Sequence, residues 1–180
     1  MKIELWGNWS HTKSLTVTGS IGELDITIED IVFDETFTVE CGITSDLDFA
    51  RLVGTVGAGA ELTCARCLKR FRMAIAGEFE IVASRLKLGE VPPKAIEDED
   101  IGGDEADMVF VPYGENAVDI TRQVHDAIVL GIPVKPLHSD MCRGLCAVCG
   151  ADLNEETCGC EQPSADDRWS ALRDLKKDVT

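Results

Sequence analysis

The sequence predicts an α+β protein: a β-rich antiparallel body with one main helix, followed by a small C-terminal cysteine ribbon and a terminal helix. Three observations carry that expectation. Strand-like runs fill the first ninety residues, one stretch after residue 118 repeats its apolar residues at helical spacing, and seven of the eight cysteines stand in short clusters. The body is assigned to residues 1–134, including an acidic loop at 92–107, and the ribbon with its helix to residues 135–180.

The strands come first. Thr36-Phe-Thr-Val-Glu-Cys-Gly-Ile alternates in places, and Leu52-Val-Gly-Thr-Val-Gly-Ala-Gly-Ala-Glu-Leu-Thr63 is β-branched and Gly-rich, as expected of a bent or bulged strand. Beyond it, Phe71, Met73 and Ile75 alternate with Arg70, Arg72 and Ala74, so the apolar set belongs on one sheet face and the arginines on the other. Cys64-Ala-Arg-Cys67 then falls at the tip of a β-hairpin. Cys41 stands apart in a strand-like run and reads as a small buried hydrophobe.

From Pro92 to Asp107 the chain turns to Pro-Pro, Gly-Gly and acids, with no Lys or Arg between Lys94 and Arg122. Self-repulsion makes this a mobile loop; a docking arm for a basic partner is the alternative. A short strand at Met108–Tyr113 precedes the clearest helix, which Asp119 can cap. In that helix Ile120, Val124, Ala127 and Ile128 form the apolar stripe, and Gly131 with Pro133 ends it. His125, on the charged flank, reads as solvent-facing or hydrogen-bonded, not catalytic. Asp166-Asp-Arg-Trp-Ser-Ala-Leu-Arg-Asp-Leu175 predicts a short terminal helix that docks Trp169, Leu172 and Leu175.

At 180 residues and 44% hydrophobic, the chain can bury one ordinary core. Neither a secretory leader nor an apolar run near the roughly 20 residues that span a bilayer is visible, so the expected location is cytoplasmic. In that reducing compartment, clustered cysteines favour metal over disulfides. The net charge of -16 and pI near 4.4 exclude a protein that coats nucleic acid nonspecifically, since such binding depends on Lys and Arg displacing counterions.

A structural zinc site needs four soft ligands held tetrahedrally, and this chain offers eight once His138 is added. Cys146-Ala-Val-Cys149-Gly150 with Cys158-Gly-Cys160 has the spacing of a zinc ribbon. Cys64, Cys67, His138 and Cys142 remain for a second site, joining segments about seventy residues apart. Two Zn2+ ions is the economical expectation; in the alternative, Cys142 joins the late cluster and His138 is idle. A redox Cys-x-x-Cys would open a helix in a βαβ unit, a context missing here. Because the sequence carries no Ser-His-Asp set, Gly-rich phosphate loop or His-Glu-x-x-His motif, neither catalysis nor a small-molecule substrate is expected.

The one basic concentration surrounds the first pair. Arg66, Lys69, Arg70 and Arg72 fall within seven residues, and no acid intervenes between Glu61 and Glu78. Closure of the first site by His138 and Cys142 would bring Lys135 and Arg143 to the same end. Such a patch suits a few RNA phosphates; alternatively the charges offset an anionic zinc–thiolate centre, about -2 for four thiolates and about -1 for three plus His.

Cys64-Ala-Arg-Cys67-Leu68, Val118-Asp-Ile before a helix and a Pro turn, Gly144-Leu-Cys-Ala-Val-Cys-Gly-Ala-Asp-Leu-Asn154, Cys158-Gly-Cys160 and Asp166-Asp-Arg-Trp169 together resemble the YceD family, also called DUF177. The resemblance implies a role in the accumulation, processing or stability of 23S ribosomal RNA, and so in large-subunit assembly, without a catalytic reaction. Two positions depart from the family pattern. His138 stands where many relatives carry Cys, which preserves a metal ligand, and Asp167 stands for a proline, equally suited to a first helical turn.

The combined expectation is a non-enzymatic factor for 23S rRNA and large-subunit assembly that contacts rRNA or a precursor particle through Arg66, Lys69, Arg70, Arg72, Lys135 and Arg143. The competing reading is an adaptor whose acidic loop engages a basic ribosomal protein. Neither reading involves a membrane.

Overall fold

The computed structural model describes residues 1–6, 12–87, 107–112 and 114–161. Among these residues, seven strands and one α-helix follow in order: β1 (Lys2–Glu4), β2 (Thr12–Ser20), β3 (Val32–Ser45), β4 (Phe49–Thr63), β5 (Arg70–Arg85), β6 (Asp107–Val111), β7 (Ala117–Asp119) and α1 (Thr121–Leu130), with a short 3-10 turn at Ile21–Leu24. The proposed terminal helix and residues 92–106 of the acidic loop lie outside the described residues.

Strands β2 to β6 make one five-stranded sheet in chain order, and β1 pairs with β7 in a separate two-stranded ribbon. The four long strands form an antiparallel meander, as alternation within β3, β4 and β5 dictates. The sheet departs from a purely antiparallel arrangement at its edge, where β6 runs parallel to β5. A parallel pair requires a crossover, and the long connection between Arg85 and Asp107 supplies one.

The bulge expected of β4 is absent from its pairing with β5. Its register with β5 is unbroken from Phe49↔Ser84 to Thr63↔Arg70, and the irregularity lies in β3, between Phe33 and Phe37. Gly54 serves close packing: a Cβ there would stand 2.6 Å from the Phe79 ring.

Alternation gives the sheet one buried face. Phe37, Ile43, Leu52, Leu62, Ile75 and Ile81 are almost wholly buried there, with Ile120 and Ile128 from the helical segment above them. Helix α1 settles on β5 at Gly77, where a Cβ would meet the Ala127 carbonyl oxygen at 2.0 Å. Its buried stripe is Val124, Ala127 and Ile128. Ile120, not Asp119, occupies the cap position, but Asp119 Oδ1 accepts the Thr121 N–H from one residue earlier, at 2.9 Å. Cys41 is an interior residue whose thiol is pushed up by burial, and the ring of half-buried His125 bonds Asp126 Oδ1 at 2.8 Å.

This framework puts the β4–β5 turn at one end of the sheet. Residues 132–161, which return the chain to that end, contain no strand longer than the single bridge Leu145↔Asp152.

Candidate metal centres

The hairpin tip is a tight loop. Cys64 N–H donates to the Lys69 carbonyl at 2.9 Å and Leu68 N–H to the Cys64 carbonyl at 3.0 Å. Cys146 to Ala151 repeats the same pair of bonds: Cys146 N–H to Ala151 O at 2.8 Å, Gly150 N–H to Cys146 O at 2.9 Å. The residue after each second cysteine is left-handed, Leu68 at φ 59° and Gly150 at φ 76°. The conformation turns amide groups inward to the sulfurs, as Val148 N–H shows by donating to Cys146 Sγ at 3.4 Å.

Each turn meets two more ligands. The thiol sulfurs of Cys64, Cys67 and Cys142 gather with a ring nitrogen of His138, and those of Cys146, Cys149, Cys158 and Cys160 form a second group; within each group all ligand atoms lie within 4.8 Å of one another. The first group is the drier. Its three cysteines are buried under Phe71, Leu137 and Leu145, and the Phe71 ring meets His138 edge-on at 6.4 Å between centroids. In the second group only Cys146 is buried, and Cys149 is exposed.

Backbone bonds deliver the first group. Ala65 N–H donates to the Pro136 carbonyl at 2.8 Å, Leu145 N–H to the Arg66 carbonyl at 3.2 Å, and Arg66 Nη1 to the Cys142 carbonyl at 2.8 Å. Gly144 makes the approach possible. It is left-handed at φ 77°, and a Cβ there would sit 3.1 Å from the Arg66 carbonyl oxygen.

The donor sets fit tetrahedral zinc. Ligand bonds of about 2.3 Å to sulfur and 2.0–2.1 Å to nitrogen imply tetrahedral edges of about 3.8 Å between sulfurs and about 3.5 Å from sulfur to nitrogen. Cys64 Sγ and Cys142 Sγ are 3.8 Å apart, and Cys67 Sγ is 3.3 Å from His138 Nδ1. None of the eight cysteines is in a disulfide.

Electrostatics point the same way. Burial would raise the Cys64 thiol, but the Cys67 amide, the His138 ring and backbone, and the Arg66 amide together hold it down to about 5. At Cys67 the Lys69 amide favours the thiolate, yet burial and the sulfurs of Cys64 and Cys142 push it up overall. In the second group, the Cys149 and Val148 amides bring Cys146 down to about 6. The Cys149 sulfur, burial and the charge on Cys149 and Cys146 push Cys160 up to about 12. Each pocket therefore welcomes a first thiolate and resists further ones; a divalent cation removes that conflict.

The six basic residues fare differently from one another. Arg70 Nε lies 2.7 Å from Glu61, Lys69 Nζ 2.9 Å from Glu155, and Arg72 Nη2 2.6 Å from both oxygens of Asp34. Arg66 caps backbone carbonyls of Asp140 and Cys142. Among the described residues, no carboxylate pairs with exposed Lys135 or Arg143. Sequence reasoning missed the acids that answer these cations. Glu61 was findable, because a hairpin turning at 64–69 sets it opposite Arg72; Asp34, from the β3 irregularity, left no such signal. Asn154 was also missed: its Nδ2 lies 3.6 Å from Cys142 Sγ.

Residues 52–176 match the family described as "Large ribosomal RNA subunit accumulation protein YceD". The chain belongs to the YceD family. It is 29% identical over 128 residues to the chloroplastic YCED homolog 1 of Zea mays, covering 62% of this chain and 44% of that one. An uncharacterized protein of Mycobacterium bovis is 28% identical over 149 residues, 78% of this chain and 66% of its own length. The chloroplastic YCED homolog 1 of Arabidopsis thaliana is 27% identical over 73 residues, 41% of this chain and 23% of that relative. This chain thus spans from 23% to 66% of the length of these relatives. No solved structure matches it. The family match contains both ligand groups, and no helix among the described residues is long and apolar enough to cross a membrane.

Proposed function

We propose that this chain is a non-enzymatic factor for accumulation of the large ribosomal RNA, 23S rRNA in a cytoplasmic setting, acting in large-subunit assembly with two structural Zn2+ ions. The family match over 52–176 carries the reading, because it includes both ligand groups and the hairpin tip that carries Cys64 and Cys67. Zinc at Cys64, Cys67, His138 and Cys142 would tie the body, residues 1–134, to the start of the ribbon at 135–180. Zinc at Cys146, Cys149, Cys158 and Cys160 would fix the ribbon itself. When bound, the ion supplies charge neutralisation and rigidity; all eight ligand positions are filled by protein, so neither centre keeps the open position that zinc catalysis needs.

The pairing of Lys69, Arg70 and Arg72 with carboxylates refines the contact surface. Lys135 and Arg143 are the cations available without breaking an ion pair, with Arg66 beside them on carbonyls. The paired cations can join only by exchanging a carboxylate for a phosphate, a trade of low net cost at exposed sites. Lys135→Glu with Arg143→Glu is expected to weaken binding to a large-subunit precursor or its rRNA at least tenfold and to lower the slope of log affinity against log salt by about two, one per lost phosphate contact. Co-sedimentation across a salt series reads both. Unchanged binding and slope would remove the RNA contact and favour the adaptor reading, in which acids at 92–107 engage a basic ribosomal protein.

A further inference from the structure

We propose that Asn154 couples the two metal centres, carrying a hydrogen bond from the ligand loop of the second to a sulfur of the first. The proposal rests on the metal-binding reading above. Asn154 lies between Cys149 and Cys158, both of the second group, yet its Nδ2 donates to Cys142 Sγ of the first at 3.6 Å. Its Oδ1 meanwhile accepts the Arg143 N–H at 2.7 Å. A side-chain amide carried on the loop between two ligands of the second group thus reaches the first, with its donor on a sulfur and its acceptor on the backbone next to that sulfur.

The loop that carries Asn154 is built to aim it. Asp152 Oδ1 accepts from the Asn154 backbone N–H at 2.9 Å and from Nδ2 at 2.6 Å. Leu153 N–H donates to the Gly144 carbonyl at 3.0 Å, and Glu155 reaches Lys69 of the first turn at 2.9 Å. Four successive residues of the second loop, 152 to 155, therefore brace the amide or touch the first centre.

The chemistry needs an amide. A neutral N–H donor disperses thiolate charge at a centre that stays anionic after zinc binds, which raises affinity without adding charge. A carboxylate in its place could still accept from Arg143 but would set a negative charge against Cys142. Loading the second centre ties Cys149 and Cys158 to one ion and fixes both ends of the loop, so occupancy there strengthens the first centre, and the reverse holds by linkage.

The test is a Co2+ titration of the metal-free full chain, since absorption bands of a three-sulfur, one-nitrogen site differ from those of a four-sulfur site and each centre is read separately. Asn154→Asp is expected to weaken the first centre by about 10- to 100-fold, the usual effect of removing a group that supports a ligand, while the second stays within about twofold. Asn154→Ala, which removes the donor without adding charge, is expected to shift the first centre in the same direction by less. Removing the second centre with Cys149→Ser and Cys158→Ser should weaken the first in the native background and have little further effect beside Asn154→Asp. Equal losses at both centres, no loss at the first, or the same effect of Cys149→Ser and Cys158→Ser in both backgrounds would each overturn the coupling. Fewer than two Co2+ bound by the native chain would instead overturn the metal reading, and the coupling with it.

Discussion

Two left-handed residues in equivalent turns show how far one position can depart from its best amino acid. Gly150 takes its conformation freely, while Leu68 holds φ 59° with a side chain 65% exposed. A left-handed non-glycine residue costs about 1–2 kcal/mol, and glycine returns about 0.5–1 kcal/mol of that through its freer unfolded chain. Leu68→Gly is therefore expected to stabilise the metal-loaded protein by about 0.5–1 kcal/mol, read as a higher urea midpoint at unchanged slope; a lower midpoint would mean that the exposed Leu68 side chain makes a stabilising contact. At this scale the cysteines were legible, because a Cys-x-x-Cys turn is local. Glu61 beside Arg70 follows from the hairpin register that sets it opposite Arg72, whereas Asp34, the partner of Arg72, comes from the irregular part of β3 and leaves no signal in the sequence.

Helix α1 is held by two devices of different reach: the apolar stripe that seats on Gly77, and Asp119 at its start. Asp119 is drawn down to about 2 by the Thr121 hydroxyl and amide and by the N-terminal ammonium, against an ordinary 3.8. A depressed carboxyl stabilises the fold above its unfolded value, so this contribution is complete above about pH 5 and is lost as pH falls through the folded value, until it is gone near pH 1. Asp119→Ala is expected to cost about 0.5–1 kcal/mol at neutral pH, the low end of the capping range for an exposed group. Unfolding curves of the two proteins should converge near pH 1, below both values; a gap that persists there would mean that the carboxylate charge of Asp119 is not its source. The helix and the meander could be read from period alone. The parallel edge strand β6 could not, since strand direction depends on where a long connection returns the chain, and Gly54 read as part of a bent or bulged strand because close packing and a bulge call for the same residue.

Across the whole molecule, an apolar core and a polar, cysteine-bound end divide the work of holding the chain together. The core from Phe37 to Ile128 closes without the ligand groups, whereas residues 132–161 have little regular structure and depend on the knuckle turns and whatever the sulfurs hold. An acidic chain of net charge -16 concentrates basic residues only beside its first ligand group, so the proposed RNA contact is confined to that end. The account stands on each group holding an ion, and zinc analysis of the purified chain by mass spectrometry under native conditions tests it most directly. Two zinc ions per native chain are expected, and one after Cys64→Ser with Cys67→Ser, with the strand signal in far-ultraviolet circular dichroism retained. No bound zinc in the native chain, or two after that double substitution, would contradict it.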